Sequence, residues 1–223
     1  SDWSVQVVDA HASIPTNFIS KNVETIISGQ EICGGKVISI TDDITPWKIT
    51  LAHAENSMFG GSVAQFRRLE IKKYVNTLAF AAYKKDVFEK VGYYDERLSR
   101  TEDNEIHYRM KKAGFRFYYN PEIRSYRHTR SSLSKLIKQK YLNGYWVGLT
   151  LSVCLKCFSV YHIIPFGFVI AIIITTAFSF YGFWKFAFLL WISYFLITFI
   201  MTIMSFVSNK IEKYDCLLPV LFL

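Results

Sequence analysis

Two adjacent carboxylates, Glu102 and Asp103, stand in the stretch Thr101-Glu102-Asp103-Asn104-Glu105. The residues that follow, Ile106-His107-Tyr108-Arg109-Met110-Lys111-Lys112-Ala113-Gly114, have helical spacing. Ile106 and Met110 lie four apart on one face with Ala113 close by, which pins the helix to a core. Thr101 is placed to cap that helix, and acids in its first turn favour the positive end of the dipole. Gly114 ends it. A carboxylate on so rigid a mount can take a proton from a hydroxyl at the mouth of a site, as a general base must. The same residues also read as a helix N-terminus with extra acids, and spacing alone leaves both readings open.

Two further clusters could do chemistry. Asp9 and His11 come just past an apolar strand, Val5-Gln6-Val7-Val8, where ligands gather in open α/β sheets. At i and i+2 they can hold a divalent cation: oxygen suits Mg²⁺, and the imidazole makes Mn²⁺ at least as natural. Such triplets also arise by chance. Arg124, Arg127, His128 and Arg130, four side chains in seven positions, can donate to phosphate or form a solvated basic edge near a membrane surface.

The elements that must position these groups alternate. Besides the first strand, strands are predicted at 36–40, 74–83 and 115–119, the last running into a turn at Asn120-Pro121. Cys33-Gly34-Gly35 reads as a turn. Helices are predicted from Pro15 to Gly29, over 46–55 and from Lys85 to Gly92. Strands alternating with helices indicate an α/β layer structure.

The 223-residue chain changes character near position 160. From 163 to 208 the only charge is Lys185. The two apolar runs, 163–181 and 186–208, each approach the ~20 residues needed to cross a bilayer. Too little other material exists to bury both, so they are read as transmembrane helices. Lysines 135, 138, 140 and 156 precede the first run, and 210 and 213 follow the second, which puts the polar part and the tail in the cytoplasm. Residues 216–223 look like the start of a third span. Leu133, Leu136, Ile137 and Tyr141 share one side of a helix that also carries Lys135 and Lys138, with Tyr145-Trp146 closing it, the pattern of a helix in the bilayer interface. The net charge of +8 fits anionic lipid or phosphate. No nucleic-acid recognition motif is present. Cys154-Leu155-Lys156-Cys157 has no second pair for zinc, and a cytoplasmic setting argues against disulfides, so all four cysteines are read as ordinary small residues.

Taken in order, Val8-Asp9-Ala10-His11-Ala12, Ser57-Met58-Phe59-Gly60-Gly61, Phe88-Glu89-Lys90-Val91-Gly92-Tyr93-Tyr94-Asp95-Glu96, the acidic stretch with its helix, Arg130-Ser131-Ser132-Leu133 and Gln139-Lys140-Tyr141-Leu142-Asn143-Gly144-Tyr145-Trp146 form a recognisable series. The chain resembles membrane-bound family-2 glycosyltransferases of the GT-A fold, especially the succinoglycan-type glucosyltransferases of exopolysaccharide synthesis. The resemblance implies a partial GT-A mixed-sheet domain over 1–130, an interfacial amphipathic helix and linker over 131–161, a transmembrane hairpin over 162–208, and a cytoplasmic turn with the start of a third transmembrane segment over 209–223.

It also implies transfer of a sugar, with inversion, from a nucleoside-diphosphate sugar to a growing or lipid-linked glycan. Asp103 would be the catalytic base and Glu102 its neighbour orienting the acceptor. Asp9, His11, Arg127 and Arg130 would hold the nucleotide-sugar side, and Asp9, His11 and His128 a divalent cation, Mn²⁺ or Mg²⁺. The third position of the family's D-x-D is His here, and no Arg precedes Trp146 as in processive synthases. The family's opening nucleotide-binding strand and P-x-x-N-E segment have no counterpart. The chain is therefore expected to be the later part of an enzyme, inactive alone, at the plasma membrane. The alternative is a non-catalytic truncated relative that scaffolds polysaccharide assembly. A transporter or channel is disfavoured, because the two apolar runs lack the intramembrane acidic or basic residues such proteins use.

Overall fold

The computed structural model describes residues 4–6, 12–41, 44–57, 69–129, 132–158 and 162–221. Six strands form one mixed sheet: β1 (Ser4–Gln6), β2 (Ala12–Ser13), β3 (Ile32–Ile40), β4 (Lys73–Val75), β5 (Ala82–Lys84) and β6 (Phe117–His128). Their order is β1-β5-β3-β6-β2, with β4 also on β6. β3 and β6 pair in parallel and the other pairs are antiparallel. α1 (Phe18–Ile27), α2 (Pro46–Asn56), α3 (Lys85–Val91) and α4 (Glu102–Lys112) cover the sheet. The mixed sheet with its helices agrees with the expected GT-A-like α/β domain.

Three local expectations are corrected. Residues 33–40 are not a turn followed by a strand; β3 runs unbroken through Gly34-Gly35. Nor does Asn120-Pro121 end a strand. β6 continues to His128, and its segment 120–123 bulges opposite Gly35. Proline has no N–H for the ladder, so the strand bows outward there. The bowed segment comes so close that a Cβ at Gly35 would run into the carbonyl oxygens of Ile123 and Asn120. The predicted strand 74–83 survives only at its ends, as β4 and β5, because Phe80 turns the chain with φ 52° and sends Leu78 and Ala81 into the core.

The core lies between α3, α4 and the sheet. Ile106 and Met110 are fully buried there with Val87, Phe88, Phe117 and Tyr119, as their spacing predicts. A second cluster holds α1 on the opposite side through Phe18 and Ile26 against Cys33, Ala82 and Ile123.

α5 (Leu133–Val153) is the predicted amphipathic helix, and it runs two turns beyond its expected end at Trp146. Ser132 caps it, accepting from Lys135 N at 3.3 Å. Leu136 and Thr150 are buried, whereas Leu133, Ile137, Tyr141, Tyr145 and Leu149, four apart in series, are exposed. Beyond the helix the chain doubles back, and the sulfurs of Cys154 and Cys157 are joined, with their Cα atoms 5.5 Å apart. This corrects the reading of those two as ordinary small residues outside any disulfide; Cys33 and Cys216 are free.

The two apolar runs fold as α6 (Ile164–Ser179) and α7 (Trp184–Ser208), which pack on each other. α7 is long and apolar enough to cross a membrane, and α6 is an equally apolar but shorter helix. The tail then returns to the domain. Asp215, 1% exposed, accepts from Thr50 Oγ1 at 2.7 Å and from Glu212 N at 2.9 Å, and pairs with His53 Nδ1 at 3.1 Å. In α8 (Leu218–Leu221), Leu218 is buried against Ala54 of α2. The tail therefore packs back against α2 of the domain.

Candidate active site

The site is built on the first turn of α4. Glu102, Asp103 and Glu105 occupy that turn and Arg109, Lys111 and Lys112 the last, so charges oppose the dipole at both ends. Arg109 fastens the helix to the loop before it. Its guanidinium donates to both Glu105 oxygens, at 2.8 and 2.7 Å, and to the carbonyls of Val91 and Tyr93.

Thr101 does not cap the helix as expected. It sits in the left-handed region at φ 63°, ψ 8°, without a side-chain capping bond. Its hydroxyl turns instead to the Thr150 hydroxyl of α5, 2.6 Å away. The helix start is served by Asp103, whose Oδ1 accepts from Asn104 N at 2.8 Å.

Asp103 is the perturbed acid. Surrounding protein and the adjacent Glu102 charge push its carboxyl up to about 6, yet the residue as a whole is exposed. The carboxylate is thus crowded by protein but reached by water, and that water moderates the push. Glu102 is half-buried, and its Oε2 faces no partner among the described residues.

Behind the pair runs a chain of polar groups that sequence reasoning missed. His107, one helical turn beyond Asp103, is buried, with Nδ1 2.9 Å from Thr77 Oγ1 and Nε2 2.8 Å from the Tyr83 hydroxyl. Burial drives its basicity down to about 3, so the ring is neutral and gives one nitrogen as donor and the other as acceptor. Tyr83 is in turn bonded to Tyr94. Burial raises both phenols, and the charge of Asp103 adds to both. The available signal was His107 at i+4 from Asp103, next to the inward-facing Ile106.

The predicted phosphate donors lie elsewhere, at the far end of β6. Ala12 pairs with Arg127 and Ser13 with Tyr126. Arg127 Nη2 donates to buried Glu55 at 2.7 Å, and its Nε faces no acceptor among the described residues. His128 Nε2 lies 3.3 Å from Ser13 Oγ. Asp9, His11, Arg130 and the Met58-Phe59-Gly60-Gly61 loop lie outside the described residues. Among the described residues no three His, Cys, Asp or Glu side chains come together as metal ligands. The described part therefore does not by itself fit a divalent cation, and no step below is routed through one.

A family model for glycosyl transferase family group 2 matches residues 39–209, more than half of the chain. The chain belongs to this family. Within the chain, the match runs from the end of β3 through the acid pair and α5 to the end of α7. The chain is 27% identical over 146 residues to the succinoglycan biosynthesis protein ExoA of Rhizobium meliloti (strain 1021), covering 65% of this chain and 43% of that protein. It is 29% identical over 179 residues to a dolichyl N-acetyl-alpha-D-glucosaminyl phosphate 3-beta-D-2,3-diacetamido-2,3-dideoxy-beta-D-glucuronosyltransferase of Methanococcus voltae, covering 76% and 54% respectively. The chain thus spans about half the length of the curated relatives it matches.

Proposed function

We propose that this transferase moves a sugar from a nucleoside-diphosphate sugar to a hydroxyl of a glycan acceptor, with inversion, in polysaccharide assembly at a membrane. The observation that carries the reading is Asp103: a carboxylate fixed to a helix start in a member of this family, exposed to water, and pushed up to about 6. A group of that basicity is ionised near neutral pH and still basic enough to take a proton.

As the acceptor oxygen attacks the anomeric carbon from the face opposite the diphosphate, Asp103 takes the hydroxyl proton. The bond from that carbon to the diphosphate oxygen breaks, and the diphosphate leaves with the electron pair. One displacement inverts the configuration. Glu102, with one oxygen unpartnered, orients the acceptor. By family resemblance, Arg127, His128 and Arg130 would stabilise the charge on the departing diphosphate. Arg127 brings to this role an Nε that has no acceptor among the described residues, while Glu55 accepts from its Nη2. Asp9 and His11, by family resemblance, belong to the donor side with a Mn²⁺ or Mg²⁺ ion. Their segment leaves β1 at Gln6, paired with Ala82, and enters β2 at Ala12, paired with Arg127.

The acceptor is lipid-linked. Supporting this are the dolichyl phosphate in the name of the Methanococcus relative, the exposed apolar series on α5 with Lys135, Lys138 and Lys140 around it, and the α6–α7 pair. α6 and α7 span the bilayer, α5 lies in its cytoplasmic interface, and the acid pair sits where a sugar on a lipid emerges.

The test is Asp103→Asn in the full-length protein in membranes. Loss of transfer by about 10² to 10⁴ with donor binding retained is expected. An Asp103→Asn variant that transfers at the wild-type rate overturns the assignment of the base, and a wild-type protein that transfers no sugar leaves the scaffold reading in place.

A further inference from the structure

Two independent ties join the residues just before the acid pair to α5. Arg100 Nη1 donates to Asn143 Oδ1 at 3.2 Å, and the Thr101 and Thr150 hydroxyls meet at 2.6 Å. Thr150 is 0% exposed. Its hydroxyl also lies 2.8 Å from the Trp146 carbonyl. A hydroxyl has one proton to give. The Thr101 hydroxyl lies beside the Arg100 carbonyl as well, so either hydroxyl can donate in the bond between them, and that bond ties the acid loop to α5.

Thr101 is a β-branched residue in the left-handed region, a conformation such residues avoid unless their surroundings impose it. Among the described residues only Thr101 and Phe80 take a positive φ without being glycine. Left to itself, Thr101 would swing to an extended or right-handed backbone. The first peptide of α4 would turn with it, and the Glu102 and Asp103 side chains would point elsewhere. The turn after α5, at 155–157, packs against α4 as well, so the clamp has a second jaw. α5 itself carries the exposed apolar series from Leu133 to Leu149 on its outer side.

We propose that Thr150 is a positioning residue of this site: by holding Thr101 in its left-handed conformation, it aims the Glu102–Asp103 pair from the helix that seats on the membrane. The inference rests on Asp103 being the base. Thr150 touches neither donor nor acceptor. It acts on turnover through the direction of the carboxylate, where a small misplacement is costly in rate.

The test compares Thr150→Val and Thr150→Ser in the full-length protein in membranes. Val keeps the shape and removes the hydroxyl; Ser restores it. Thr150→Val should lower kcat about threefold to tenfold, with KM for the donor within about twofold, and Thr150→Ser should recover most of the loss. Asn143→Ala, at an exposed position that cannot threaten folding, should lower kcat in the same sense by a smaller factor. In an Asp103→Asn background, Thr150→Val should add no further loss, because the group it aims is gone. An unchanged kcat in Thr150→Val overturns the proposal. So does an undiminished effect of Thr150→Val in the Asp103→Asn background, or a loss that Ser does not recover. If Thr150→Val does not accumulate, an unchanged kcat in Asn143→Ala overturns it. Failure of the base assignment is read separately, from a fully active Asp103→Asn single variant.

Discussion

Replacing Glu102 by Gln removes the neighbouring charge while keeping shape and hydrogen-bonding capacity. Asp103 lies at about 6 because of burial first and the Glu102 charge second, opposed by backbone N–H groups from Asn104 and its own residue. An unperturbed Asp titrates near ~3.9, so the two raising causes together exceed about two pH units. Burial is the larger cause and the Glu102 charge the smaller, and water at the exposed residue weakens both. The sign follows from the role. A base works ionised, so kcat/KM should rise with pH through about 6 and level off above it. In Glu102→Gln the midpoint of that rise should fall by roughly half a unit to one unit. The plateau should drop too, because the acceptor loses its orienting group. The assay is sugar transfer at subsaturating donor across the acid range, with membranes checked for retained protein at each pH. A wild-type profile flat through pH 6, or a Glu102→Gln midpoint at or above the wild-type value, would refute the reasoning.

Gly35→Ala should destabilise the domain by more than about 2 kcal/mol, since a Cβ meets backbone carbonyls that cannot move without breaking the β3–β6 register; thermal unfolding measures it. Tyr83→Phe strands buried His107 Nε2 and should cost about 1–3 kcal/mol in stability, with a smaller fall in transfer than Asp103→Asn. Asp215→Ala leaves fully buried Thr50 without its acceptor and frees the tail from α2, so limited proteolysis should cut within 209–217 in the variant and not in the wild type.

Much of the framework is legible in local pattern. The apolar pair Ile106 and Met110 lands in the core because side chains four apart share a helical face whatever the helix packs on. The two uncharged runs become helices because long apolar stretches leave the backbone only its own partners to bond. The polar ends of the chain are harder. The proline at 121 and the glycines at 34–35 each read as turns in isolation. They become two halves of one bulged β-pair only when β3 and β6 lie side by side. The membership of the family was likewise legible, through the order of motifs rather than any one of them.

The amino-acid sequence by itself determined that an acid pair would stand at the start of a helix, that the chain would alternate strands and helices, and that two apolar helices would follow. These depend on period, propensity and charge along the chain, which neighbours in sequence set. Only the tertiary structure decided what the acids feel: the neutral His107–Tyr83 chain behind them, the burial that lifts Asp103, and the Thr150 hydroxyl that takes Thr101 from its expected cap. Those partners lie 24 and 49 residues apart in the chain. Desolvation and hydrogen bonding are properties of distance in space, and nothing in local pattern states which distant groups will come within 3 Å.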